Sequence, residues 1–330
     1  MRNSRSLWLK TFGITVALFA VLAISTAVLA AAPYPSKPVR LIVPMTPGGG
    51  TDIIARVIAA QLSERLGKQV VVENHAGGGT VIGTELVAKA DPDGYTLLFT
   101  PSSHTIKPVL EKVPYDPIKS FAPIARVGTG QNSLVVHPSV PANSVKELIA
   151  LAKQKPGKLI FGSPGIGGTM HMGAELFKIM AEIDFKIVHF KGAAPATVDL
   201  LGGHSHGFVG SILQNLPHIK SGQLRVLGTG GVKRSVFLPD VPTIAEAGLP
   251  GYQSLVWWGM HAPAGTPAPI VDRLSKELKA ILLSDEVKKQ FLNQGAEVDY
   301  QDPTEFGKFI EIEMTQWARV VKNANIKLEQ

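Results

Sequence analysis

Residues 44–56 read P-M-T-P-G-G-G-T-D-I-I-A-R and place three consecutive glycines between an apolar run and an amphipathic run. Glycine lets the backbone approach a ligand closely, and the unpaired amides at the start of a helix favour negative charge. The segment therefore predicts an anion-binding turn between a strand and a helix, with Thr51 or Asp52 as the helix N-cap.

The sequence of this turn limits the kind of anion. A phosphate-binding loop needs a lysine directly after its glycines, and a dinucleotide-binding loop needs a different glycine spacing. Residues 47–52 have neither feature. A nucleotide phosphate is therefore disfavoured, while a tight turn that binds no ligand stays open as an alternative.

Strand-like and helix-like patterns alternate along the chain, which is typical of an α/β fold with a parallel sheet. The predicted strands are 37–43, 68–74, 95–100, 133–137, 158–162, 186–190, 224–229 and 254–262. The predicted helices are 53–66, 80–89, 144–155, 172–181, 196–201, 267–283 and 303–322. Ligands of open α/β sheets bind beyond the carboxyl ends of the strands, where segments 48–52 and 102–104 both fall. We expect these two segments to face one cleft.

A second group of loops with the same character begins after residue 131. Residues 163–171 (S-P-G-I-G-G-T-M-H) and 191–195 (K-G-A-A-P) each follow a predicted strand and precede a predicted helix. Both loops offer amide-rich helix starts, and the second has a lysine beside it. Two lobes with facing anion-binding loops predict a clamshell that holds a ligand between them.

Residues 1–31 have the pattern of a secretory signal peptide. Cationic residues precede a long apolar stretch over 12–29, and three alanines at 30–32 offer cleavage points. We expect cleavage there and a mature protein located in the periplasm. The chain has no cysteine, which excludes disulfides and a lipid-modified N-terminal cysteine.

The charge of the chain argues against a nucleic-acid partner. The formal net charge is +7, and three positive charges belong to the signal segment, which leaves about +4 (7 − 3) for the rest. The lysines are scattered along helices rather than clustered between aromatic residues, so they fit a solvated surface that draws in small anions.

Several ordered motifs give the chain a family resemblance. It resembles the extracytoplasmic solute receptors called Bug proteins, the substrate-binding components of tripartite tricarboxylate transporters, over residues 34–328. The motifs that carry the resemblance are P-G-G-G-T-D (47–52), V-E-N (72–74), A-D-P-D-G-Y-T-L (90–97), H-F-K-G (189–192), D-L-L-G-G (199–203), P-D-V-P-T (239–243) and A-P-A-G-T-P (262–267).

The resemblance implies a two-domain α/β clamshell of the type II periplasmic-binding-protein kind with crossing hinge strands. Domain 1 would comprise residues 32–128 and 256–330, domain 2 residues 129–255, and the ligand cleft would lie between them. By residue-by-residue transfer, the ligand-binding residues of domain 1 would be Gly49, Thr51, Asp52, Ser102 and Ser103. Those of domain 2 would be Ser163, Gly167, Thr169, Lys191 and Ala194.

The resemblance also implies a receptor that captures a small organic carboxylate without catalysis, cofactor or metal. It would act as a monomer and deliver its ligand to the membrane components of a transporter. A receptor that feeds a signalling partner stays open as an alternative. An exported hydrolase is a weaker one, because Phe161 stands where a nucleophile elbow around Ser163 needs glycine.

Three histidines depart from the family pattern. His75 stands where arginine is common, and His204 and His206 replace a usual glutamine and aspartate. Alternate histidines on a strand face the same way, so His204 and His206 could supply two of the four ligands of a zinc site. Ordinary polar residues at the start of a strand, or a contact to a carboxylate ligand, are the alternatives that we weigh against metal.

Overall fold

A sheet of ten strands forms the framework of the computed structural model, which describes residues 34–326. The strands are β1 (Val39–Val43), β2 (Val70–Asn74), β3 (Thr96–Pro101), β4 (Phe121–Val136), β5 (Ile160–Ser163), β6 (Lys186–His189), β7 (Gly207–Ser211), β8 (Arg225–Thr229), β9 (Leu255–Pro263) and β10 (Glu297–Gln301). Their main order is β2-β1-β3-β9-β4-β7-β5-β6, and β8 and β10 also pair with β4.

Helices connect the strands and cover the sheet. They are α1 (Gly50–Leu66), α2 (Val81–Ala88), α3 (Ser103–Leu110), α4 (Val145–Gln154), α5 (Thr169–Ala181), α6 (Ala193–Leu201), α7 (Ile212–Lys220), α8 (Ala268–Leu282), α9 (Asp285–Asn293) and α10 (Pro303–Asn323). A short 3-10 turn, Gly78–Thr80, precedes α2. Strand β1, which pairs with β2 and β3, is buried and apolar except for Arg40, as expected for a parallel strand covered on both faces.

Strand β4 divides the sheet into two groups. Its pairing with β9 ends at Gln131, and its pairing with β7 begins at Asn132. Strands β1, β2, β3, β9 and β10 therefore lie on one side of this point, and β5, β6, β7 and β8 lie on the other. The domain boundaries predicted from the sequence stay a prediction.

Three separate stretches of chain meet at this change of partners. The amide of Asn132 donates to the carbonyl of Ser254 (3.1 Å), that of Ser254 to the carbonyl of Gly230 (2.9 Å), and that of Gly230 to the carbonyl of Asn132 (2.8 Å). A Cβ at Gly230 would lie 2.2 Å from the Ser254 carbonyl oxygen, so only glycine fits there. We call this ring of backbone hydrogen bonds the junction.

A side-chain bond reinforces the junction, because Asn132 Nδ2 donates to Ser254 Oγ at 2.9 Å in a buried position. Replacing Asn132 by alanine is expected to lower the free energy of unfolding by about 1–3 kcal/mol, since the buried hydroxyl loses this donor. Urea denaturation measures the change. Asn293→Ala, at an exposed position on α9, is the control and should shift stability by less than about 0.5 kcal/mol. Equal midpoints for both variants would contradict this role of Asn132.

Every strand and helix predicted from the sequence has a counterpart, with shifted ends. Helix α5 begins at Thr169 rather than Met172, and α6 at Ala193 rather than Ala196, because the preceding glycines lead directly into the helix. Strands β7 and β10 and helices α3, α7 and α9 were not predicted. They are short, and each is polar, interrupted by proline or, in β7, bounded by glycines around two apolar residues, so their periodicity is weak.

The predicted signal peptide lies outside the described residues. Between residues 34 and 326, no helix has the length and apolar character required to cross a bilayer.

Candidate functional site

A cavity of about 420 Å³ opens among the loops at the carboxyl ends of β1, β3 and β5. Its polar lining is Thr51, Gly79, Thr80, Ser102, Ser103, Lys107, Gly167, Gly168 and Thr169. Its apolar lining is Met45, Pro101, Ile106, Leu110, Ile166 and Val256. Residues from both groups of strands therefore face the same space.

Four helices begin at this cavity. Thr51 is the second residue of α1, Thr80 and Ser102 are the N-caps of α2 and α3, and Gly168 is the N-cap of α5. Among the described residues, none of these four helices has an N-cap side chain that accepts from a first-turn amide, whereas the Asp302 side chain accepts from the amides of Thr304 and Glu305 at the start of α10. We call them the four open helix starts. The first-turn amides of α1, α3 and α5 and the dipoles of the helices favour an anion in the cavity, whereas in α2 the amides of Val81 and Ile82 already donate to the carbonyls of Gly78 and Gly77.

Three hydroxyl groups in the cavity wall are buried and have no hydrogen-bond partner among the described residues: Thr80 Oγ1, Ser102 Oγ and Ser103 Oγ. We call them the open hydroxyls. A buried polar group without a partner costs about 1–3 kcal/mol. Thr51 Oγ1 accepts from Trp258 Nε1 at 3.1 Å, which leaves the Thr51 hydrogen free to donate. A ligand that accepts hydrogen bonds would satisfy this wall.

One face of α3 brings a positive charge to the cavity. Ser103, Ile106, Lys107 and Leu110 line it at helical spacing, and of the described lining residues Lys107 alone carries a charge. Lys107 Nζ lies 2.9 Å from Glu111 Oε1. The lysine side chain passes over Gly79, where a Cβ would lie 3.1 Å from its Cε and Nζ. Gly79 therefore makes room for the ammonium group.

Asp52 does not line the cavity, and its side chain stabilises the turn that precedes α1. Its carboxylate accepts from the Gly48 amide (2.8 Å), Arg56 Nε (3.0 Å) and Asn74 Nδ2 (2.9 Å). Burial alone would raise the pKa of Asp52, but these hydrogen bonds outweigh it and lower the pKa below its ordinary value. Asp52 is therefore an ionised structural group.

A buried histidine fixes the loop on the opposite side. His171 Nδ1 accepts from the amide of Gly167 at 3.0 Å, and Ser163 Oγ donates to the carbonyl of Gly165 at 2.8 Å. Burial, together with the nearby ring of His189, lowers the pKa of His171 to about 4. The imidazole is therefore neutral near pH 7, as an accepting Nδ1 requires.

The structure brings half of the predicted site residues to the cavity. Thr51, Ser102, Ser103, Gly167 and Thr169 line it. The others do not: Asp52 lies in the first turn of α1, Ser163 is the last residue of β5, and Gly49, Lys191 and Ala194 are exposed outside the lining. Direct ligand contact stays a prediction for all ten.

A larger groove of about 610 Å³ lies between α5 and α10, beside Met180 and Ile312. None of its described lining side chains is a buried polar group without a partner. The smaller cavity is therefore the better candidate for a ligand site.

Comparison with known proteins identifies the chain. A family model described as "Tripartite tricarboxylate transporter family receptor" matches residues 54–326. The chain belongs to this receptor family. The two-lobe α/β fold of the periplasmic-binding-protein kind and the assignment as a receptor rather than an enzyme are thereby confirmed.

Relatives of this receptor match along almost the whole chain. Protein BugT of Bordetella pertussis is 37% identical over 321 residues, which cover 95% of this chain and 97% of BugT. The structure of R. palustris Rpa4515 with adipate superposes with a TM-score of 0.71 at 36% identity, and covers 89% of this chain and 99% of that one. The structure of the periplasmic binding protein BugD gives a TM-score of 0.68 at 34% identity and covers 90% and 100%.

Several residues that line the cavity of this receptor were not predicted from the sequence. Thr80 follows the glycine run 77–79, the same signal that identified the first turn. Lys107 can be predicted as a cavity residue only if helix α3 is predicted first, because Lys107 lies one turn beyond Ser103 on the same face. The apolar lining gives no local signal, because such residues are indistinguishable from core positions.

The three unusual histidines lie outside the cavity lining. His206 Nδ1 accepts from the amide of Ile160 at 3.0 Å, and His75 Nε2 lies 3.4 Å from Glu73 Oε2. Among residues 34–326, no three histidine or acidic side chains are grouped as metal ligands.

Proposed function

We propose that this receptor binds a small organic carboxylate in the 420 Å³ cavity. One observation carries the proposal: the four open helix starts and the open hydroxyls converge on a single space that also contains the Lys107 ammonium group. Such a set of donors fits an acceptor with several lone pairs and a negative charge.

The energetics favour a carboxylate over a neutral ligand. Taking a carboxylate out of water costs several kcal/mol unless hydrogen bonds or charge replace its hydration. Backbone amides, hydroxyls and one ammonium group supply that replacement here. Ile106, Leu110, Ile166 and Val256 offer apolar contacts for a short carbon chain. The complex of the relative Rpa4515 with adipate supports this ligand class.

We further propose the two domains at residues 32–128 with 256–330, and 129–255. The change of partners along β4 between Gln131 and Asn132 supports a boundary there. Closure of the two domains would bring the loop 166–169 over a ligand held by Ser102 and Ser103.

The cellular role follows from the family and from the predicted leader. We propose that the chain is exported to the periplasm, acts as a monomer and passes its ligand to the membrane components of a tripartite transporter. The family description and the periplasmic relative BugD support this role. A signalling partner in place of the transporter is the second candidate.

Calorimetry with matched ligand pairs tests the proposal. Adipate, malate and citrate should each be compared with the corresponding amide, which keeps the shape and removes the charge. At least one acid is expected to bind, about 100-fold or more tightly than its amide, because each hydrogen bond to a charged group contributes about 1.5–3 kcal/mol. Equal binding of acid and amide, or no response to any acid, would overturn the proposal.

A further inference from the structure

Glu313 on α10 is a buried carboxyl group that contacts both β9 and the first turn of α3. Its Oε2 lies 2.6 Å from Thr105 Oγ1 and 2.7 Å from Trp257 Nε1. Thr105 Oγ1 also lies 2.8 Å from the backbone oxygen of Ser102, a residue of the cavity wall. A chain of hydrogen bonds therefore runs from Glu313 to the cavity.

The number of hydrogens available to these three contacts indicates the protonation state of Glu313. The indole of Trp257 can only donate, the carbonyl of Ser102 can only accept, and the hydroxyl of Thr105 has one hydrogen. With an ionised Glu313, that single hydrogen serves either the carboxylate or the carbonyl, and the other contact is left as two facing acceptors. With a proton on Oε2, each of the three contacts has one hydrogen: Glu313 donates to Thr105, Thr105 to Ser102, and Trp257 to Glu313.

We infer that Glu313 is held as a neutral carboxylic acid whose proton fixes the Ser102 turn of the cavity through the Thr105 hydroxyl. Glu313 is thus a positioning residue for the ligand site, and its effect on affinity rests on the function proposed above. Loss of the proton turns the Thr105 hydrogen toward the carboxylate and leaves the Ser102 carbonyl with the longer bonds from the amides of Thr105 (3.2 Å) and Ile106 (3.3 Å).

The surroundings of Glu313 support a neutral group. Burial raises the pKa of Glu313 to about 7, although the hydrogen bonds from Thr105, Trp257 and Trp317 and the charge of Arg126 act in the opposite direction. Arg126 on β4 is paired with Asp299 on β10 at 2.6 Å. The two nearby imidazoles are neutral, because burial lowers the pKa of His104 on α3 to about 4 and that of His261 on β9 well below its ordinary value.

The pH dependence follows from a pKa that is higher in the folded state than in the unfolded state. The bonded, protonated form is complete below the unfolded value and is lost as pH rises through about 7. The Ser102 turn should therefore be ordered in weak acid and loosened in weak base.

Nuclear magnetic resonance of the full mature chain tests the proton without any ligand. The Glu313 Cδ resonance, assigned by its absence in Glu313→Gln, is expected to titrate with a midpoint near 7, and the Ser102 carbonyl carbon should follow the same midpoint. In Thr105→Val the Ser102 carbonyl should lose that titration, and in Thr105→Ser it should regain it. Glu311→Gln, on the exposed face of the same helix, should leave both titrations in place.

A Glu313 midpoint near the ordinary glutamate value of about 4.3 would overturn the inference, because the group would then be ionised. A titrating Glu313 with an unresponsive Ser102 carbonyl would overturn the positioning role. Adipate is the probe for affinity, and wild-type binding is expected to be about fivefold weaker at about pH 8.5 than at about pH 6, with less than about a twofold change in Thr105→Val. Equal wild-type affinity at both values would also contradict positioning, whereas failure of adipate to bind would count against the proposed ligand and leave the resonance test decisive.

Discussion

The double variant Ser102→Ala/Ser103→Ala is expected to bind a small carboxylate at least about 100-fold more weakly than the wild type, because two hydrogen bonds to a charged group, each of about 1.5–3 kcal/mol, are lost. The free energy of unfolding of this variant should not decrease. Both hydroxyls are buried without a partner in the described residues of the free receptor, so their removal should leave the free energy of unfolding unchanged or raise it. Calorimetry measures the affinity, and urea denaturation measures the stability.

Ser205 provides a matched control for this variant. Its hydroxyl is also buried without a partner among residues 34–326, but it lies before β7 and does not line the cavity. Ser205→Ala should change stability in the same direction and leave ligand affinity unaltered. Wild-type affinity in the double variant would remove the Ser102–Ser103 wall from the site.

Replacing Lys107 by methionine is expected to weaken carboxylate binding by about 10- to 100-fold, because methionine keeps the apolar stem and removes the ammonium group. The variant should also lose part of the salt dependence of binding, since screening acts on the charge. Glu111→Gln should have the opposite effect and tighten binding, because Glu111 pairs with Lys107 in the free receptor. Titration calorimetry at low and high salt measures both effects.

Lys89→Met is the control for the lysine variant. Lys89, the C-cap of α2, pairs with Glu85 at the same four-residue spacing, but it does not line the cavity. Its replacement should leave affinity and salt dependence unchanged. A Lys107 variant that behaves like the Lys89 variant would show that the ammonium group makes no contact with the ligand.

The sequence predicted the parts of the site that leave a local signal. Glycine runs before a helix mark Thr51 and the loop around Gly167, and polar residues after a strand mark Ser102 and Ser103. Lys191 belongs to a loop of the same local type, yet it is exposed outside the cavity. Whether such a loop reaches the ligand depends on packing between distant elements, which periodicity does not encode.

The same limit explains the incomplete prediction of β4. Only its end, residues 133–137, was predicted, because Pro123, Gly128 and Gly130 interrupt the apolar pattern of its first half. That half is nevertheless a strand, since β9 and β10 pair with it on either side. Tertiary pairing therefore overrides a weak local preference.

The position of β9 has a consequence for the order in which the receptor folds. Strand β9 lies between β3 and β4, although ten of the described strands and helices separate it in sequence from β3. As the chain emerges from its amino end, β1, β2 and β3 can pair with one another, but the place beside β3 stays empty until residues 255–263 arrive. Pairing between such distant segments is slow to form, since it needs the closure of a long loop. The part of the cavity wall that follows β3 comes early in the sequence, but the wall is complete only after β9, with Val256, has paired beside β3.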